Sequence, residues 1–346
     1  MGYELRTQTV EPKRNTFQHL IDRFGDKPAT RYQEGTFDIQ AMEHFHYRPY
    51  WDPAHEIYDP DYSALKLADP YVYTDPRQYY YATYVTARAA HYEAFGRTLS
   101  YIEERQLFQR LPENWHALMI HSIVPLRHYE SGAELISVNG CRFAWGTSIS
   151  QACGYAGFDR IGNAQLLSLV GLSMGGGSGD KLHEAKEHWL DDPYLQPLRR
   201  LVEEALVEKD WAAGVLALEI ADAQLYPLLF RHLDERALFR GASAYSLIAQ
   251  HFSQWFTDQQ KWLTPLIKTW LADEKYGEAN RAALAAIADR WFPQARDAVR
   301  RLAAGIEKRA GSTSIVSAAD RFAAEEGSRI TGLGVPMKGA AEGART

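Results

Sequence analysis

The chain has 346 residues, 38 Lys and Arg against 44 Asp and Glu, and 46% apolar residues. That is the composition of a globular protein with material for a large core, and a net charge of -6 provides no basic stripe for a phosphate backbone, which excludes nucleic acid as an expected partner. The uncharged stretch 161–179 carries Asn163, Gln165, three serines and six glycines, so it makes no membrane span. The first residues, MGYELRTQTV, lack the apolar run of a secretory signal, and Arg6 stands where a myristoylation motif needs Ser or Thr; a cytoplasmic protein is expected.

Taken in order, the residue types divide the chain into an irregular arm over 1–73, a helical body over 74–310 and a small-residue tail over 311–346, whose last fifteen or so residues are expected to fray. Fourteen of the 20 tyrosines and seven of the 15 prolines fall within 1–101, and 31–73 mixes Tyr, Trp, Phe, His, Pro and Asp without helical or strand period. Such a segment cannot make its own core. It reads as an extended arm laid across a surface, its own body or a partner, with the aromatics as anchors.

The first helix start is read at Thr74-Asp75-Pro76-Arg77-Gln78, with Asp75 as cap and Pro76 in the first turn, and the helix is predicted to reach about Gln106. A second opens near Pro112. After Pro125 a pattern from Leu126 continues through Val138, Phe143 and Ile149, with Gly132, Gly140, Gly146 and Gly154 allowing close helix approach. Were that segment one helix, Cys141 and Cys153 would stand about 18 Å apart and stay reduced. Beyond a Gly-rich loop at 175–179, Asp192-Pro193 repeats the start signal, with Leu195, Leu198, Val202 and Ala205 on one face. The apolar run from Trp211 should kink or break at Pro227. Further stripes join Ile248 to Trp270 and, with Pro293 as an interruption, Asn280 to Lys308. Strand patterns and tandem repeats are absent, so the fold class is all-α, with the long helices of a bundle.

Motifs for chemistry are weak. Gly171-Leu172-Ser173-Met174-Gly175 has the spacing of a hydrolase nucleophile turn, but a helical pattern precedes it and four more loop residues, Gly176 to Gly179, follow. Asp180 parts those glycines from Lys181, which spoils a phosphate loop. His183 and His188 are five apart, about 140° around a helix, and cannot share a metal facially, so this segment reads as a solvated helix start. A di-iron carboxylate bundle needs Glu from two helices and Glu-x-x-His from two others. Glu-x-x-His occurs at Glu43 with His46, in the arm, and at Glu113 with His116, in the segment that opens near Pro112; Glu130 and Glu134 are followed at that spacing by Ala133 and Ser137, and His251 is preceded by Ile248. Glu219 and Asp222 share a helical face and read as a structural charge pair rather than an acid–base site. No catalytic, cofactor-binding or metal-binding residue is therefore assigned.

Several segments together resemble one family, the small (β) hydroxylase subunit of bacterial multicomponent di-iron monooxygenases, most closely the phenol hydroxylase type. They are Arg23-Phe24-Gly25-Asp26-Lys27-Pro28, Arg31-Tyr32-Gln33-Glu34, Phe45-His46-Tyr47-Arg48-Pro49 with Trp51-Asp52-Pro53, Thr74-Asp75-Pro76-Arg77-Gln78 with Tyr80, Val124-Pro125-Leu126-Arg127-His128, Trp189-Leu190-Asp191-Asp192-Pro193, Arg199 and Asp210-Trp211. The resemblance spans most of the chain up to about residue 310. It implies a ferritin-like helical bundle without metal ligands, paired with a larger α subunit that holds two irons, with a small γ subunit and a second copy of the same complex. It further implies a transient regulatory protein and a reductase carrying FAD and an iron–sulfur cluster and using NADH; the assembly would insert one O₂ oxygen into an aromatic ring, as from phenol to catechol. On this reading Tyr32, Phe45, Tyr47, Tyr50 and Trp51 of the arm contact the α subunit, and Arg127 and Glu134 lie near a subunit or dimer interface. Two alternatives are a self-sufficient ferritin-like di-iron oxygenase and a helical interaction protein unrelated to oxygenases.

Overall fold

The computed structural model describes residues 16–41, 43, 53–311 and 314–338, and every regular element among them is helical. Two short helices open the chain, α1 (Gln18–Phe24) and α2 (Arg31–Glu34). The second is closed by a capping box: Thr30 Oγ accepts from the Gln33 amide at 3.1 Å while Gln33 Oε1 accepts from the Thr30 amide at 2.8 Å. Leu20, Tyr32 and Phe37 form a small core of their own under Tyr71 and Tyr80.

From residue 53 the arm lies on its own body. Its extended backbone has no ladder to join, so polar side chains of the bundle satisfy it instead. Asp210 accepts from the Ser63 hydroxyl at 3.1 Å and the Ala64 amide at 2.8 Å. Asn280 bonds both the amide and the carbonyl of Lys66, at 2.8 and 2.7 Å, and Asp273 takes the Ala68 amide at 2.8 Å. A short 3-10 turn, Pro70–Val72, ends the crossing, and the Tyr73 hydroxyl donates to the Trp262 carbonyl at 3.1 Å.

The first long helix, α3 (Tyr81–Glu104), starts later than the pattern predicts. Asp75 does not cap it. Its carboxylate accepts from the Arg77 amide and grips the Arg77 guanidinium, both at 2.9 Å, and Gln78 has a left-handed φ of 55°, so 74–78 closes a turn. Both charged side chains are buried, and holding that pair fixes the backbone outside helical geometry.

Next come α4 (Glu113–Leu118), a π turn (Met119–Ile123) and α5 (Leu126–Phe143). The pattern that runs through Ile149 is not one helix: it breaks at Ala144 to Gly146 and reverses into α6 (Thr147–Met174). Gly146 has φ 94°, and a Cβ there would collide with Pro70 of the arm, so the break needs glycine twice over. In the resulting antiparallel hairpin Gly140 faces Cys153, Val138 faces Gly157, and Arg127 faces Ser168. The two cysteines therefore meet across one helix interface instead of standing 18 Å apart along one helix. Both remain free thiols.

The loop after α6 uses left-handed Gly176 (φ 63°) and Gly177 (φ 89°) and leads to α7 (Asp180–Asp191). Helix α8 (Gln196–Leu206) begins after a turn in which Asp192 accepts from the Tyr194 amide, three residues beyond the expected start. The run α9 (Trp211–Pro227), a π turn (Leu228–His232) and α10 (Leu233–Phe239) carries the predicted disturbance at Pro227. By length and composition 211–239 could cross a membrane, but 89% of its apolar window is buried inside the bundle. Two helices follow, α11 (Ser243–Ala272) and α12 (Gly277–Ala310), the latter continuous through Pro293. A last helix, α13 (Ile315–Gly332), arises where only a small-residue tail is read, and it docks on α9 and α12 through Ile315, Phe322 and Ile330.

Candidate functional site

Helix α6 is buried on most of its circumference, and its middle carries two charged residues in succession, Asp159 and Arg160, each at most 2% exposed. A charge placed there must find its partners inside. Arg160 reaches inward between α5 and α9. One guanidinium nitrogen donates to Glu130 at 3.2 and 3.3 Å, the other to Asp222, and the plane lies 4.8 Å over the Trp255 ring of α11. The Tyr129 hydroxyl donates to the free oxygen of Asp222 at 2.8 Å and the Tyr226 hydroxyl to Glu130 at 2.6 Å. Asn163, one turn along α6, stands 3.5 Å from both Glu130 and Tyr226. Burial pushes the Glu130 and Asp222 carboxyls up, while the shared guanidinium pulls both down. Burial opposes the charge on Arg160, yet Asp222 and Glu130 outweigh it and keep the guanidinium protonated.

Asp159 points the other way around α6. It accepts from the Tyr84 hydroxyl at 2.7 Å and the Trp255 indole at 3.1 Å, and it pairs with Arg88 of α3 at 2.6 Å. Arg88 continues to Asp258 of α11 at 2.8 Å. One turn before Asp222, Glu219 is buried, with Arg329 of α13 at 3.4 Å; Arg329 also forks onto Glu326 at 2.7 and 2.8 Å. Burial raises the Glu219 carboxyl to about 7. The Glu219–Asp222 pair thus holds the charged structural role read for it, and its partners come from α6 and α13.

The cluster lies where facing bundle helices could hold two metal ions, and its residues do not fit such a pair. No histidine is bonded within it, Arg160 already supplies the cation, and the space left beside Arg160, Glu219 and Asp222 is about 10 Å³, about one water's worth. A wide groove of about 650 Å³ runs between the 76–79 turn and α11, but its Arg77 and Asp258 are already engaged in ion pairs. Ser173 ends a helix with no strand before it, which disposes of the hydrolase turn.

Of the residues expected at a partner surface, Tyr32 is 4% exposed and closed within its own chain, its hydroxyl accepting from the Asp75 amide at 2.8 Å. It is an internal anchor. Phe45, Tyr47, Tyr50 and Trp51 lie outside the described residues, as does His46. Arg127 and Glu134 sit two turns apart on α5, both half-buried, Arg127 reaching Ser168 at 3.5 Å. Beside them is a feature that periodicity did not show: the hairpin register sets Leu135 and Val138 of α5 next to Phe158 and Ile161 of α6, 37–55% exposed. Four large apolar side chains are thus exposed along the hairpin.

A bundle of long helices around a buried carboxylate and guanidinium cluster defines a ferritin-like helical protein. The family described as Methane/Phenol/Alkene Hydroxylase matches residues 51–274, and the chain belongs to that family, as a small subunit of the phenol hydroxylase type. It is 39% identical over 304 residues to the phenol 2-monooxygenase oxygenase component DmpL of Pseudomonas sp. (strain CF600), covering 88% of this chain and 91% of that one. It is 37% identical to the oxygenase component MhpL of Acinetobacter pittii (strain PHEA-2), over 80% of this chain and 84% of that one. A crystal structure of xenon-pressurized phenol hydroxylase from Pseudomonas sp. OX1 contains a chain that superposes with TM-score 0.88 at 36% identity, covering 97% of this chain and all of the other.

Proposed function

We propose that this chain is the non-catalytic structural subunit of an NADH-dependent, phenol-type aromatic monooxygenase, in which it scaffolds a larger α subunit holding the two irons. The observation that carries the reading is Arg160 between Glu130 and Asp222: a guanidinium fills the position where a catalytic bundle would need metal ions and imidazoles. Relatives named as phenol 2-monooxygenase oxygenase components support the reaction class. In the assembly, which is cytoplasmic, a small γ subunit and a second copy of the complex complete the hydroxylase, a regulatory protein joins transiently, and a reductase with FAD and an iron–sulfur cluster supplies electrons.

The scaffold contacts its partner through the apolar face of the α5–α6 hairpin, flanked by Arg127 and Glu134, and through arm residues Phe45, Tyr47, Tyr50 and Trp51. The division into an arm over 1–73, a bundle over 74–310 and a tail over 311–346 serves this role, the bundle giving rigidity and the arm reach. Exposed apolar side chains at this density lose more by staying in water than a monomer needs to bear. Phe158→Asp combined with Leu135→Asp tests the face. Both positions are at least half-exposed, so the chain keeps its helical circular dichroism. Its co-purification with the large subunit should weaken at least about 30-fold, the loss of a buried hot spot. Assembly at the wild-type level would rule the face out.

A further inference from the structure

The π turn Met119–Ile123 and helix α7 pack together, and between them stand His121 from the turn and Glu184 and His188 from α7. Glu184 and His188 are four residues apart and so share a face, in contrast to His183 and His188. One ligand atom from each of the three lies within 4.8 Å of the others. We propose that His121, Glu184 and His188 bind one divalent transition-metal ion of the Zn²⁺ class, with solvent completing the coordination.

Two imidazoles and one carboxylate are a borderline-soft donor set of the kind zinc takes, with bonds of roughly 2.0–2.2 Å that put ligand atoms roughly 3.3–3.6 Å apart. The His121 Nε2 to Glu184 Oε1 separation is 3.3 Å already. The His121 and His188 rings stand with centroids 3.8 Å apart and planes tilted by 39°, so an ion would enter as they swing apart about χ1 and χ2, and each of the three side chains is 27–37% exposed and has room to do so. The surroundings carry the outer groups that orient metal ligands. Lys181 Nζ holds the second oxygen of Glu184 at 2.8 Å, turning the first toward His121. Asp192 Oδ2 lies 3.8 Å from His188 Nδ1 and is itself fixed by Arg309. The π turn matters because it adds a residue to the helical repeat and re-aims His121 at α7, a geometry such turns often supply at functional sites. None of these groups belongs to the Arg160 cluster, so this site stands whether or not the scaffold role does.

The test is zinc binding by the full-length chain, titrated with Zn²⁺ alone and read as bound metal per chain, with Co²⁺ as a visible-spectrum reporter. The wild type should take one ion per chain at low micromolar free Zn²⁺ and give a Co²⁺ d–d band. H121A, E184Q and H188A should each weaken binding at least tenfold and lose the band while keeping wild-type circular dichroism. No zinc on the wild type, or equal zinc on the wild type and all three variants, would overturn the site.

Discussion

Arg160 is the residue on which the bundle's interior depends. Removing one partner of a buried ion pair leaves uncompensated charge, so Arg160→Met should cost about 3–5 kcal/mol in urea unfolding, because Glu130 and Asp222 would face each other unpaired. Combining it with Glu130→Gln and Asp222→Asn should recover most of that loss, since neutral amides can share the Tyr226 and Tyr129 hydroxyls; no recovery would mean that packing, not charge, sets the cost. Glu219 gives a pH signature. Its folded carboxyl titrates near 7, above the ordinary value of 4.5, so the folded state binds the extra proton between these values and stability falls as pH rises through that window. Denaturant midpoints at pH 5 and pH 8 should differ in the wild type, and Glu219→Gln should flatten the difference by up to roughly 3 kcal/mol; an unchanged slope would contradict the assignment. The sequence made the Glu219–Asp222 pair legible as structural, since two carboxylates on one apolar face need partners. The partners were not legible: Arg160 precedes Asp222 by 62 residues, and Arg329 lies on the last helix, in a segment read only as a tail. The available signal was Asp159-Arg160 itself, a charged pair inside a run, 143–179, that holds no other charge.

Among the elements, the long helices from Leu126, Ile248 and Asn280 follow from periodicity, because burial of one stripe decides them, and the one from Trp211 follows from an apolar run that is buried all round. The departures come where tertiary contacts override local signals. The cap-and-proline motif at Asp75-Pro76 became a turn because Arg77 is buried and needs Asp75, and the pattern through Ile149 broke because the arm's Pro70 occupies the space beside Gly146. Gly146→Ala should therefore destabilise by about 1–3 kcal/mol, measured as a shifted urea midpoint, through positive φ and the collision with Pro70 together. Helix α13 stands where only a small-residue tail is read, although its alanines favour a helix and its apolar residues share one face; it buries Phe322, Ile315 and Ile330 and supplies Arg329 to Glu219. Truncation after Gly311 should lower stability by roughly 4–9 kcal/mol, the burial of those three side chains; an unshifted melting curve would show that α13 adds nothing.

For the whole molecule, the composition and the all-α pattern pointed to a helical bundle, and the fold is one, with Arg160 held between Glu130 and Asp222 in its interior. What no pattern in one chain displays is the surface meant for another chain, because apolar positions facing a partner and those facing the core repeat with the same period. The hairpin register leaves Leu135, Val138, Phe158 and Ile161 exposed, the face proposed for the partner. The central claim is that this chain assembles an oxygenase without holding its iron. The direct measurement is complex mass and iron per chain after expressing the chain alone and with the large subunit of the same hydroxylase. The account predicts an iron-free chain alone and a symmetric complex whose iron matches the large subunit. About two irons bound by the chain alone, or no complex at all, would contradict it.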